Sequence, residues 1–148
     1  RGRHWGIATH FSFQTYAAMV AEVSVDRQGG IKIHKMVCAI DCGTVINPDG
    51  VRSQVEGGIT LALTATLHGA ITLKNGRVQQ SNFHNYKLLT MREMPVVETH
   101  IVPSTEPPTG VGEPPVPPTP PALVNAIYAA TGKRIRRLPI DIRGLRRG

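Results

Sequence analysis

Nine of the nineteen residues from Pro103 to Pro121 are proline, and no other feature restricts the possible folds of this chain as much. Each proline fixes φ and removes a backbone donor, so the stretch can be neither a helix interior nor a central strand. It is not a floppy linker either. It leads directly into a helix pattern over Pro120 to Thr131, with Thr119 as the expected cap. Leu123, Ile127 and Ala130 form the apolar stripe of that helix, and Gly132 stands at its stop position. A rigid connector of this kind holds something in a fixed direction. The one charged residue between Thr109 and Ile127 is Glu113.

The rest of the chain reads as an α+β fold with a mixed, largely antiparallel sheet and two main helices, about 48–68 and 120–131. Tyr16 to Asp26 and Ile31 to Ile40 carry strand patterns on either side of the turn sequence Arg27-Gln28-Gly29-Gly30, which predicts a twisted hairpin. Asn47-Pro48 is a helix start, and Val51, Val55, Ile59 and Leu63 recur at four-residue steps, with Gly69 at the stop position. Asn75-Gly76 marks a second hairpin between two short strands. Residues 81–94 hold no period and read as an ordered loop, Val96 to Val102 as a strand, and "RIRRLPI" as a short terminal strand or extended arm. No element is assigned before Tyr16.

At 148 residues the chain can form one core but not two ordinary domains, so 1–148 is expected to be a single domain with a basic tail at 133–148. The opening Arg1-Gly2-Arg3-His4-Trp5, with no initiator Met and no leader, reads as the interior of a longer polypeptide or a processed product. The net charge of +7 invites a nucleic-acid reading. Lys133, Arg134, Arg136, Arg137, Arg143, Arg146 and Arg147 concentrate the positive charge in the last sixteen residues, with no aromatic after Tyr128 to stack on bases. A solvated tail or a docking strip for an acidic partner fits better. Cys38 and Cys42, four residues apart on one strand, would sit about 13 Å apart, too far for a disulfide, and are expected as reduced, packed thiols. The six histidines lack ligand spacing.

Two features carry chemistry. Gly57 and Gly58 inside the first helix cost about 2 kcal/mol of helix propensity relative to alanine, so something approaches the backbone there, either a packed element or a ligand. Glu113 is flanked by Gly110 and Gly112 and followed by Pro114-Pro115, the kind of preorganised setting a general base needs. On residues alone, the alternative reading is an incidental surface carboxylate in a turn.

"VCAIDCGTVINPDGVRSQVEGGI", "RVQQSNFHNYKLLTMREMPVVETHIVPS" and "GVGEPPVPPTPPALVNAIYAATGKRIRRLPI", in that order along the chain, together resemble the C-terminal end of the molybdenum-binding subunit of the xanthine oxidase (molybdenum hydroxylase) family. The branch they resemble most is that of isoquinoline 1-oxidoreductase beta-subunits and membrane aldehyde dehydrogenases. The resemblance implies that Glu113 is the catalytic base, deprotonating a metal-bound hydroxyl that attacks an electron-poor carbon of an aldehyde or N-heteroaromatic substrate. It implies that Gln54 hydrogen-bonds a molybdopterin cofactor, in its cytosine dinucleotide form, beside Gly57 and Gly58. It also implies that Thr109, Gly110, Val111 and Gly112 offer backbone groups to that cofactor. Its molybdenum is held by the pterin, so no protein metal ligand is expected. The implied partners are the remainder of the molybdenum subunit, a small subunit carrying [2Fe–2S] clusters and a cytochrome c acceptor, with no nucleic acid. Relatives in that branch are bacterial and occur in the cytoplasm or at the outer face of the inner membrane, so the resemblance implies one of these two compartments. The family subunit is several times longer, so this chain is expected to be a C-terminal fragment or one piece of a split subunit. The alternative is a non-catalytic docking module built on the proline segment and basic tail.

Overall fold

The hairpin expected from the sequence is the centre of the fold. β2 (Thr15–Val25) and β3 (Ile31–Asp41) pair antiparallel from Tyr16 with Asp41 to Val25 with Ile31, and a bulge at Glu22/Val23 increases the twist. The computed structural model describes residues 2–146. β6 (Val96–Ile101) joins β3 in parallel, Lys35 facing Val96 and Ile40 facing Ile101. The small hairpin β4 (Leu73–Lys74) and β5 (Arg77–Val78) closes around Asn75-Gly76, both at positive φ, as the sequence predicts.

An additional strand, β1 (His4–Ser12), pairs antiparallel with β2 and completes a four-stranded sheet in the order β1-β2-β3-β6. It escapes sequence reading because its apolar residues point the wrong way. Trp5, Ile7 and Phe11 are exposed, while the small Gly6 and Ala8 face inward. Gly6 is small for a reason: a Cβ there would overlap the backbone of Ala122 and Ala126, so the second helix lies almost directly on β1. Asn125 Nδ2 ties the two by donating to Ile7 O (3.1 Å).

Both helices cover one face of the sheet. α1 (Pro48–Leu67) brings Val55, Ile59 and Leu63, and α2 (Thr119–Thr131) brings Leu123 and Ile127, onto Met19, Val23, Met36, Cys38 and Ile40, all of them buried. The opposite face is open. Tyr16 sits on it beside Phe11, ring centroids 4.5 Å apart.

α1 begins as expected, with Asn47 Oδ1 accepting from the amides of Asp49 (3.1 Å) and Gly50 (3.2 Å). α2 does not. Thr119 is inside the helix rather than its cap, and its hydroxyl donates back to Pro115 O (2.8 Å). Pro121 has no N–H, and the Ala122 amide, the other donor a threonine cap would satisfy, donates to Pro118 O instead (3.1 Å). The stop at Gly132 is as predicted, with φ 72 and its amide donating to Tyr128 O (2.7 Å). At the end of α1 the amides of His68 and Gly69 both donate to Thr64 O (2.9 Å each), and Gly69 has no positive φ.

"RIRRLPI" is not a strand. It is irregular chain leading to a short turn of 3₁₀ helix at Ile142–Leu145, and Leu138 and Pro139 are poorly suited to a ladder because proline lacks a donor. The basic segment is also not a free tail. Ile140 and Leu145 are in the core, and Lys133 Nζ donates to Gly144 O (2.9 Å) and Arg146 O (2.7 Å). Arg134 stacks on the Tyr128 ring at 3.4 Å, and Arg143 pairs with Asp141. Arg147 lies outside the described residues. Pro114, Pro115 and Pro118 are buried as well, while Pro103, Pro107, Pro108, Pro117 and Pro121 are exposed.

Candidate active site

The proline-rich stretch leaves β6 and is fastened, step by step, to the end of β3. Val102 N donates to Ile40 O (2.9 Å), Thr44 N to Glu106 O (2.8 Å), and Thr109 N to Cys42 O (2.9 Å). Gly43 makes this close approach possible. It has φ 72, and a Cβ on it would overlap the carbonyl of Pro107.

The β1–β2 turn provides the next attachment. Phe13 (φ 51) and Gln14 (φ 60) both occupy the left-handed region without being glycine, the backbone of a tight two-residue hairpin turn. Gly110 N donates to Phe13 O (3.3 Å). Thr15, wholly buried, donates from its hydroxyl to Gly110 O (2.6 Å). The Thr15 Oγ1 proton being used there, the Thr109 hydroxyl 2.6 Å away is the donor to Thr15. Sequence reading found neither Thr15 nor this turn, because Phe-Gln lacks the Asn or Gly that announces positive φ.

Beyond Gly110 the fastening stops. The amides of Val111 and Gly112 make no hydrogen bond among the described residues, whereas those of Thr109 and Gly110 are already engaged within the chain. Glu113 is exposed, and its carboxylate has no hydrogen bond or ion pair among the described residues. Its carbonyl accepts from Val116 N (2.8 Å), closing a turn over Pro114-Pro115.

α1 lies beneath this loop. A Cβ on Gly58 would meet Pro115 Cβ at 3.3 Å and Gly112 O at 3.4 Å, so Gly58 is the point where the helix supports the loop. One on Gly112 would meet Gln54 Oε1 at 3.3 Å, so the Gln54 amide stands next to the residue before Glu113. Gly57 differs: a Cβ there would meet nothing within 4 Å. The structure therefore gathers Gln54, Gly58, Gly112 and Glu113, with Gly57 open beside them.

Burial pushes the Cys38 thiol up to about 12, and burial with the neighbouring Asp41 charge raises Cys42. Both are free and packed. No three His, Cys, Asp or Glu side chains among the described residues converge as metal ligands. Three of the histidines have partners elsewhere: His34 with Ser24, His68 with Glu93 and His100 with Glu98.

Residues 4–95 match the molybdopterin cofactor-binding domain. The chain belongs to this family. It is 36% identical over 139 residues to a protein named membrane-bound aldehyde dehydrogenase [pyrroloquinoline-quinone] of Gluconacetobacter polyoxogenes, covering 90% of this chain and 18% of that one. It is 33% identical over 140 residues to the isoquinoline 1-oxidoreductase subunit beta of Brevundimonas diminuta, covering 91% and 18%. Among solved structures, quinoline 2-oxidoreductase from Pseudomonas putida 86 superposes with a TM-score of 0.80 at 25% identity, covering 89% of this chain and 18% of the other. The domain thus spans under a fifth of the length of these relatives. No helix among the described residues is long and apolar enough to cross a membrane.

Proposed function

We propose that this chain supplies the general base of a bacterial molybdenum hydroxylase that oxidises an aldehyde or N-heteroaromatic substrate with water, and that Glu113 is the base. The observation carrying this reading is the contrast within one loop. Up to Gly110 the loop is fastened at Val102, Glu106, Thr109 and Gly110, and just beyond the last of these Glu113 offers a carboxylate with no hydrogen bond or ion pair among the described residues. A molybdopterin group fits the residues around it. The unengaged amides of Val111 and Gly112, the Gln54 side chain beside Gly112, and the open backbone at Gly57 are donors and clearances that nothing among the described residues uses. Gln54 and the two amides would hold the pterin, in its cytosine dinucleotide form, while Gly57 would let it lie close. Thr109 and Gly110 hold the loop instead.

When bound, the group supplies the redox centre and an activated water-derived oxygen. Glu113 would accept a proton there as general base, its direction set by the Thr109–Gly110 attachment on one side and the Pro114-Pro115 turn on the other. Enclosure of the group would require the remainder of the molybdenum subunit, and a [2Fe–2S] subunit and an acceptor such as a cytochrome c would supply the outlet for electrons.

In the assembled enzyme, Glu113→Gln should lower turnover by about 10²–10⁴-fold while the molybdenum content stays at the wild-type level. Near-normal turnover of metal-loaded Glu113→Gln would sink the assignment. Metal analysis also discriminates the pterin from the quinone in one relative's name: stoichiometric molybdenum supports the first, and pyrroloquinoline quinone without molybdenum excludes it.

A further inference from the structure

We infer that Thr15 is the positioning residue for Glu113, acting through Thr109 and Gly110 as a clamp between the β1–β2 turn and the loop. This rests on the reading of Glu113 as base, but the clamp itself stands on separate geometry. The Thr15 side chain is fully buried, and its one hydroxyl is satisfied in both directions: it donates to Gly110 O and accepts from Thr109, each at 2.6 Å. The neighbouring Gly110 amide donates to Phe13 O, so the Thr109–Gly110 pair is joined to the turn by three hydrogen bonds. No hydrogen-bonded anchor follows until the Glu113–Val116 turn itself. The turn is also conformationally costly. Phe13 and Gln14 both carry side chains at positive φ, a state that persists only where the surroundings fix it. Gly110 packs directly against that turn, since a Cβ on it would meet Phe13 Cβ at 3.0 Å.

The chemistry separates aiming from folding. Gly110 is exposed, so water can replace the lost bond to its carbonyl when the Thr15 hydroxyl is removed. The sheet survives, and the direction of the loop does not. Thr15→Val keeps the β-branched shape, and Thr15→Ser keeps the hydroxyl.

The test uses the complete enzyme with Thr15→Val, Thr15→Ser and Glu113→Gln side by side. Thr15→Val should lower kcat by about 10²-fold, the scale of a misplaced catalytic group, with KM and molybdenum content unchanged. Hydrogen exchange of peptides covering 104–116 should accelerate about 10-fold or more in the same variant, because a loop without its side-chain clamp opens more often and exposes the Thr109 and Gly110 amides. Thr15→Ser should restore both. Wild-type kcat and wild-type exchange in Thr15→Val would overturn the clamp, as would equal defects in Thr15→Ser and Thr15→Val. If Thr15→Val does not assemble, Thr109→Val, which removes only the donor to Thr15, reads the same two quantities. An inactive Glu113→Gln beside a fully active Thr15→Val would reject the clamp and leave the base in place. An active Glu113→Gln would reject the base, and the exchange measurement would still decide the clamp.

Discussion

Glu93 and Glu113 both sit on loops next to α1, and they are used in opposite ways. The Glu93 carboxylate holds its own loop together. It accepts from the Thr90 amide (2.9 Å), the Thr90 hydroxyl (2.8 Å) and Lys87 Nζ (2.9 Å), with His68 Nε2 at 3.0 Å. Those contacts, the Thr90 amide first and Lys87 second, hold its pKa down at about 2. The Glu113 loop is held by backbone groups and by a threonine from another element, and its carboxylate is left without a partner. A loop that spends its charge on order has none left for a ligand. One ordered from outside keeps it.

Gly43→Ala gives the largest expected effect on the fold of the Glu113 side. The side chain would need a left-handed backbone and would overlap the Pro107 carbonyl, so a loss of about 2–4 kcal/mol is expected in chemical denaturation. A loss under about 0.5 kcal/mol would show that the loop is not fastened there.

Glu93→Gln tests the other side and comes next. Because the folded pKa is lowered to about 2 from 4.5, the unfolded state binds more protons between those values. The contribution of Glu93 is therefore fully present above the unfolded pKa and is lost as pH falls through about 2. After allowance for solvent screening, Glu93→Gln should cost about 1 kcal/mol near neutral pH, a deficit that narrows on acidification. A deficit independent of pH would mean that the carboxylate charge is not what orders this loop.

Gly57→Ala gives the smallest effect on folding and sharpens the contrast most. The site is open, so alanine should stabilise the helix by about 0.5–1 kcal/mol. In the assembled enzyme the same methyl should weaken retention of the cofactor, measured as molybdenum per protein after dialysis. Unchanged retention would remove Gly57 from the cofactor surface.

The elements that were legible in the sequence are those whose local signals agree with their surroundings. Asn47-Pro48 starts α1, Asn75-Gly76 turns a hairpin, and Gly132 ends α2, because each signal is satisfied within a few residues. β1 was hidden because Trp5, Ile7 and Phe11 face away from the helices and the inward positions are small. Thr119 misled because Pro121 has no donor to cap and the Ala122 amide is already taken by Pro118 O. In the site, Glu113 stood out through its glycines and prolines. Gly57 and Gly58 drew notice as glycines inside a helix and Gln54 through the family resemblance, and the geometry divides the two glycines into one that supports the loop and one that is open. Thr15 could not be seen, because its role depends on a residue 94 positions away.

The open face of the sheet has an optical consequence. Trp5 is the only tryptophan in the sequence and is 60% exposed on that face, on β1 opposite Glu22. Emission of the isolated chain should lie near that of tryptophan in water. Any surface that settles over β1 would shift it to the blue, so assembly of the larger enzyme can be followed on this chain without a label.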